Sequence, residues 1–210
     1  MLHTPLLDSY IDAHASSENP LLSQLDRETN LYFLQPNMVS GNVQAQFLQL
    51  VCGLQKPKTI LEIGTYTGYS AMAMAMAAPE GCVLHTIDVN PELQMIHEKY
   101  REKSGLNQKI INYYGKAVDI LPKIMANFDL VFIDADKENY SRYYHLIIDK
   151  VPRGGIIIAD NVLWKGKVLE AEKDKKTQAL HLFNQEITQD ARVTNFILPL
   201  RDGLMIMIKN

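Results

Sequence analysis

From Ile60 to Asp160, five short apolar runs alternate with longer amphipathic stretches, and no other feature narrows the fold as much. Parallel strands need crossover connections of about a dozen residues or more, usually helical, so this alternation points to a parallel sheet with helices on both faces. Strands are expected at residues 59–63, 83–88, 109–113, 130–134 and 156–160, and helices near 70–78, 91–104, 117–125 and 140–150. Asn90 stands as a cap before Pro91, and proline is tolerated in a first helical turn. After Asp160 come a charged helix at about 174–189 and two strands at 193–198 and 204–208. The link 199–203 is too short for a parallel return, so it must join antiparallel neighbours. The expected fold class is α/β, doubly wound and mostly parallel, with an antiparallel C-terminal strand and preceding helices.

Length and composition set the outer bounds. A chain of 210 residues is expected to make a single domain, with a helical cap over 1–55 and an α/β core over 56–210. Pro5, Pro20 and Pro36 punctuate the cap, which would serve as a lid, a dimer contact or both. A net charge of -3 gives no field to draw a polyanion, so no nucleic-acid partner is expected. Cys52 and Cys82 form neither a CxxC pair nor a Cys/His cluster, which argues against a disulfide framework or a zinc site. No run nears the roughly 18 apolar residues of a membrane span, and residues 1–5 lack the features of an export signal. A soluble cytoplasmic protein is expected.

The residues that carry chemistry lie where the strands end. The first strand runs through Glu62 into Gly64-Thr65-Tyr66-Thr67-Gly68, a G-x-x-x-G turn that lacks the third glycine and the spacing of a dinucleotide fingerprint. A nucleotide-like cofactor without a pyrophosphate suits such a turn. Asp88 ends the second strand 24 residues after Gly64, close to the roughly 20 at which a carboxylate grips ribose hydroxyls. Asp134 and Asp160 end the fourth and fifth strands, and Asn161 follows. On neighbouring strands about 4.8 Å apart these three would converge, and two crowded carboxylates need either a proton or a cation. An all-oxygen set favours Mg²⁺, Mn²⁺ or Ca²⁺. The same side chains could instead hydrogen-bond loop backbone and bind nothing. His85, His97, His145 and His181 show no spacing of a ligand set and are given no role.

Four segments in this order carry a resemblance: Glu62 to Ser70, Phe132 to Tyr140, Asp160 to Trp164, and Asp202-Gly203. Together they resemble the cation-dependent class I S-adenosylmethionine O-methyltransferases of the caffeoyl-CoA and catechol type, most clearly from Met38 to Asp202. The resemblance implies a seven-stranded sheet, a homodimer, and methyl transfer to a hydroxyl of a small vicinal dihydroxy aromatic. Ser40, Glu62, Gly64, Ser70, Asp88, Ala117 and Asp136 would contact the S-adenosylmethionine. Asp134, Asp160 and Asn161 would hold the cation, and Asp134 and Lys137 would act in catalysis, with Lys137 beside the acceptor oxygen. Trp164 and Lys165 would line the acceptor pocket. Lys165 stands where plant members carry asparagine, and their N-terminal lysine for the thioester has no counterpart, so a coenzyme A ester is not expected. Two other readings compete: a metal phosphohydrolase or glycosyl transferase using Asp134 and Asp136, and a cofactor-binding module without catalysis.

Overall fold

The computed structural model describes residues 5–210. Among them, seven strands form one sheet in the order β3-β2-β1-β4-β5-β7-β6. They are β1 Thr59–Ile63, β2 Val83–Asp88, β3 Ile110–Tyr114, β4 Leu130–Ile133, β5 Ile156–Ala159, β6 Val193–Leu198 and β7 Leu204–Lys209. Strands β1 to β5 run parallel, and β7 lies antiparallel between β5 and β6, as the short link required. Strand order reverses at β1, which has β2 on one side and β4 on the other. In open α/β sheets, ligands bind beyond the strand carboxyl ends at such a switch point.

The helices are α1 Pro5–His14, α2 Pro20–Tyr32, α3 Asn42–Gln55, α4 Tyr69–Ala77, α5 Gln94–Ser104, α6 Ala117–Ile120, α7 Tyr140–Ile147 and α8 Lys175–Gln189. Successive strand side chains point to opposite faces, so each strand feeds two cores. Ile60, Leu84, Leu130 and Phe132 pack with Leu25, Leu48, Met74 and Tyr100 from α2 to α5. Leu61, Val131, Ile133 and Ile157 pack with Tyr144, Ile147, Phe183 and Ile187 from α7 and α8. Burial on both faces explains why these strands read as unbroken apolar runs. Phe132 is fully buried, and truncating it to alanine would cost about 3–5 kcal/mol.

Element bounds shift in several places. The helix expected at 117–125 is α6 alone, followed by a 3₁₀ turn over Leu121–Lys123. Pro122 has no N–H to give, and its ring would clash with the preceding turn, so an α-helix cannot continue through it. Asp134 and Asp160 fall just past β4 and β5 rather than within them, and β3 begins one residue late. Finally, α2 and α3 are built into the first core: Leu22, Leu25 and Leu48 are buried there beside α4 and α5. Glu28 of α2 accepts from Lys99 at 2.6 Å and Tyr100 at 2.9 Å on α5. These contacts pack the cap on the core. No helix of the described residues is long and apolar enough to cross a membrane.

Candidate active site

The glycine turn after β1 is shaped first by its neighbour strand. Gly64 has φ of +99°, and a Cβ there would stand 2.0 Å from the Asp134 carbonyl oxygen. Close passage of the β1 and β4 ends, fixed by the Asp134 N–H donating to Ile63 O at 2.8 Å, therefore requires glycine before any ligand is considered. Asp88 is set by backbone donors on both oxygens. Its Oδ2 accepts the Tyr66 N–H at 2.7 Å and its Oδ1 the Asn90 N–H at 2.8 Å. Each carboxylate oxygen keeps a further lone pair, which suits a ligand hydroxyl beyond the strand end.

Glu62 lies beneath the turn with no exposed surface, accepting from Ser70 Oγ at 2.6 Å and from Thr86 Oγ1. Burial pushes its carboxyl up to about 8; the two hydroxyl donors oppose that rise, and the Asp134 and Asp88 charges reinforce it. Glu62 and Ser70 are thus brought together and tie β1 to the first turn of α4. Thr86 escaped the sequence reading, although it sits directly opposite Glu62 in the β1–β2 register.

Asp134 and Asp160 follow adjacent parallel strands, and the Asp160 N–H donates to Ile133 O at 2.9 Å. Lys137 is only 8% exposed and so is no solvated surface lysine. Its Nζ donates to Asp134 Oδ1 at 2.8 Å and to the Tyr140 hydroxyl at 2.7 Å, and that hydroxyl donates to Asp160 O at 3.0 Å. The buried Asp160 is raised to about 6, by desolvation first and the Asp134 charge second, against the pull of Gln44 and Lys137. Gln44, buried on α3, donates from Nε2 to Asp160 Oδ2 at 2.6 Å. Nothing in the sequence separated Gln44 from an ordinary helix-surface glutamine, because its partner is 116 residues away.

Asn161 takes a left-handed conformation, with φ of 59°, which asparagine tolerates better than most residues. Its loop is buckled to the β6–β7 link. Val162 and Leu163 donate to Gly203 O and Asp202 O, each at 3.0 Å, and the Lys165 N–H donates to Asp202 Oδ1. Trp164 is half-buried against the second core, whereas Lys165 is exposed. Asp136 is exposed, its oxygens taken by Asn139 and Tyr143, so it does not pair with Asp134. Ala117 opens α6, and Ser40 is buried just before α3. Glu62 of β1, Ser70 of α4 and Asp88 of β2 therefore gather around the turn that Gly64 opens, while Asp134, Lys137 and Asp160 lie at the neighbouring strand ends.

Among the described residues, no group of three or more His, Cys, Asp and Glu side chains could hold a metal ion. The candidate set contains two carboxylates and an amide. All three bring oxygen, and a cation would offset both the burial that first raises Asp160 and the Asp134 charge that adds to it, so these residues fit a hard divalent ion.

Residues 12–210 match the family model described as O-methyltransferase. The chain belongs to the O-methyltransferase family. The catechol O-methyltransferase of Niastella koreensis is 36% identical, with 81% of each chain covered. The caffeoyl-CoA O-methyltransferase 1 of Arabidopsis thaliana is also 36% identical, over 80% of this chain and 70% of that one. The O-methyltransferase TomG of Streptomyces achromogenes, solved in complex with S-adenosylmethionine, has a TM-score of 0.91 at 26% identity, covering 98% of this chain and 96% of its own. The family membership and the seven-stranded sheet thus accord with the resemblance carried by the four segments.

Proposed function

We propose that this O-methyltransferase moves a methyl group from S-adenosylmethionine to one hydroxyl of a small vicinal dihydroxy aromatic, with a divalent cation, Mg²⁺ by preference, at Asp134, Asp160 and Asn161. The observation that carries the reading is the carboxylate pair at the ends of β4 and β5, with buried Lys137 donating to one member, beside the glycine turn of β1. The names of the two sequence relatives and the cofactor in the TomG complex support it.

S-adenosylmethionine supplies the sulfonium methyl, and a bound cation would lower the pKa of a phenol it touches and hold both oxygens of a diol. The chain's own residues supply position, from which much of the acceleration in such a transfer comes. Asp88 would take the ribose hydroxyls, with the turn from Gly64 to Ser70 beneath the donor. Lys137 Nζ would take the acceptor's proton as the free amine, its own ammonium proton having first passed to solvent. Trp164 would wall the acceptor in and keep water from the reacting oxygen. The same reading includes a homodimer, checked by light scattering.

Labelled methyl transfer to catechol and to phenol tests the diol requirement: product is expected from catechol alone, and equal product from phenol would remove it. Lys137→Ala is expected to lower kcat about a hundredfold or more and to change its pH profile. A rate unchanged across pH would exclude Lys137 as the base.

A further inference from the structure

His97 lies on α5, 4% exposed, beneath the glycine turn. Its Nε2 stands 2.6 Å from the carbonyl oxygen of Tyr66, which can only accept, so this nitrogen carries the hydrogen. Its Nδ1 faces the Tyr114 hydroxyl at 3.0 Å and Asn112 Nδ2 at 3.3 Å, both able to donate. The rings of His97 and Tyr114 stack at 5.9 Å. Burial favours the neutral ring.

The residue it holds is unusual. Tyr66 has φ of 46°, a left-handed backbone that is unfavourable for a bulky residue and persists only where neighbours enforce it. Its N–H is held by Asp88 Oδ2 at 2.7 Å and its C=O by His97, so Tyr66 is gripped from both sides. Because the Tyr66 N–H also fixes one oxygen of Asp88, a shift of the turn would rotate that carboxylate.

We propose that His97, in its neutral Nε2–H form, is a positioning residue for cofactor binding: it locks Tyr66 in the left-handed turn and through it aims the Asp88 carboxylate at the cofactor's ribose. The inference rests on the S-adenosylmethionine reading above, since Asp88 serves as the ribose ligand only there. His97 itself touches no reacting atom.

The test is calorimetric binding of S-adenosylmethionine to wild type, His97→Phe, His97→Gln and His97→Asn, with the Tm of each. A glutamine amide nitrogen can reach the place of Nε2, whereas asparagine reaches only that of Nδ1. His97→Phe is expected to raise Kd about tenfold, His97→Asn similarly, and His97→Gln to stay within about threefold of wild type. Should the phenylalanine variant fail to fold, the Gln and Asn pair carries the comparison. In an Asp88→Asn background the same His97 changes should shift Kd less than about threefold, because the carboxylate they act through is gone. A wild type that does not bind sinks the cofactor reading and this inference together. A wild type that binds, with Gln and Asn variants of equal affinity or an undiminished effect in the Asp88→Asn background, overturns only the positioning role.

Discussion

The two halves of the site are finished to different degrees. Around the glycine turn, the carboxyl and backbone groups that set the shape have partners within the chain: Asp88 on two backbone N–H groups, Glu62 on two hydroxyls, the Tyr66 backbone on Asp88 and His97, although the Tyr66 hydroxyl is buried without one. At the ends of β4 and β5, Asp134 is paired with the Lys137 ammonium, and Asp160 is held high by burial first and by the Asp134 charge second. Gln44 Oε1 is buried there without a hydrogen-bond partner among the described residues. A half completed by its own hydrogen bonds is preorganised. A half that carries unbalanced charge is waiting for a ligand of the opposite sign.

The sharpest way to break this contrast is to remove a carboxylate. Asp160→Ala, or Asp134→Ala, should lower labelled methyl transfer to catechol about a thousandfold while leaving the Kd for S-adenosylmethionine within about threefold. Parallel loss of both would show that the halves are one unit.

The next largest effect belongs to the boundary between the halves. Gly64→Ala puts a Cβ against the Asp134 carbonyl at a φ that L-residues rarely adopt, so denaturant unfolding should show a loss of about 3 kcal/mol or more. A loss under about 1 kcal/mol would mean that the strand ends separate easily.

How much of this was legible in the sequence follows the same divide. Strands β1, β2 and β6 begin and end where apolar periodicity placed them, because a buried parallel sheet needs continuous apolar runs. The strand-end acids were visible by position alone. Gly64 was legible as necessary but not for the full reason: the chain demands it for the approach of Asp134, and the sequence offered only the ligand. The contacts of Gln44 with Asp160 and of His97 with Tyr66 were invisible, since each residue looks like an ordinary member of an amphipathic helix. His97 sits beside Ile96 and Tyr100 on the buried face of α5, where a packed histidine is unremarkable. Only tertiary contact separates such residues from their neighbours. The 117–125 helix failed for a local reason, Pro122, that the sequence did contain.

Titration sharpens the comparison further. Glu62 keeps its proton in the folded state up to about 8, while the unfolded chain releases it near 4.5. Between those values the folded state binds more protons, so wild-type stability should fall as pH rises, by up to about 1.4 kcal/mol per pH unit. Glu62→Gln should flatten that slope in denaturant titrations across the window, and an unaltered slope would assign it to other groups. The smallest effect concerns the seam between α2 and the turn. Thr29 Oγ1 donates to Thr67 Oγ1 at 3.0 Å with both side chains buried, and Thr29→Val should cost about 1 kcal/mol in denaturant unfolding. A neutral change would show that packing alone holds the seam.

The central claim, a donor half complete within the chain and an acceptor half that needs a cation, meets its most direct test in one paired measurement. S-adenosylmethionine affinity and labelled methyl transfer to catechol are recorded on the same protein with chelator and again after Mg²⁺ is restored. The account predicts that chelator abolishes transfer while Kd stays within about threefold, and that Mg²⁺ returns the activity. Transfer that continues undiminished in chelator, or cofactor binding that disappears with the cation, would contradict it.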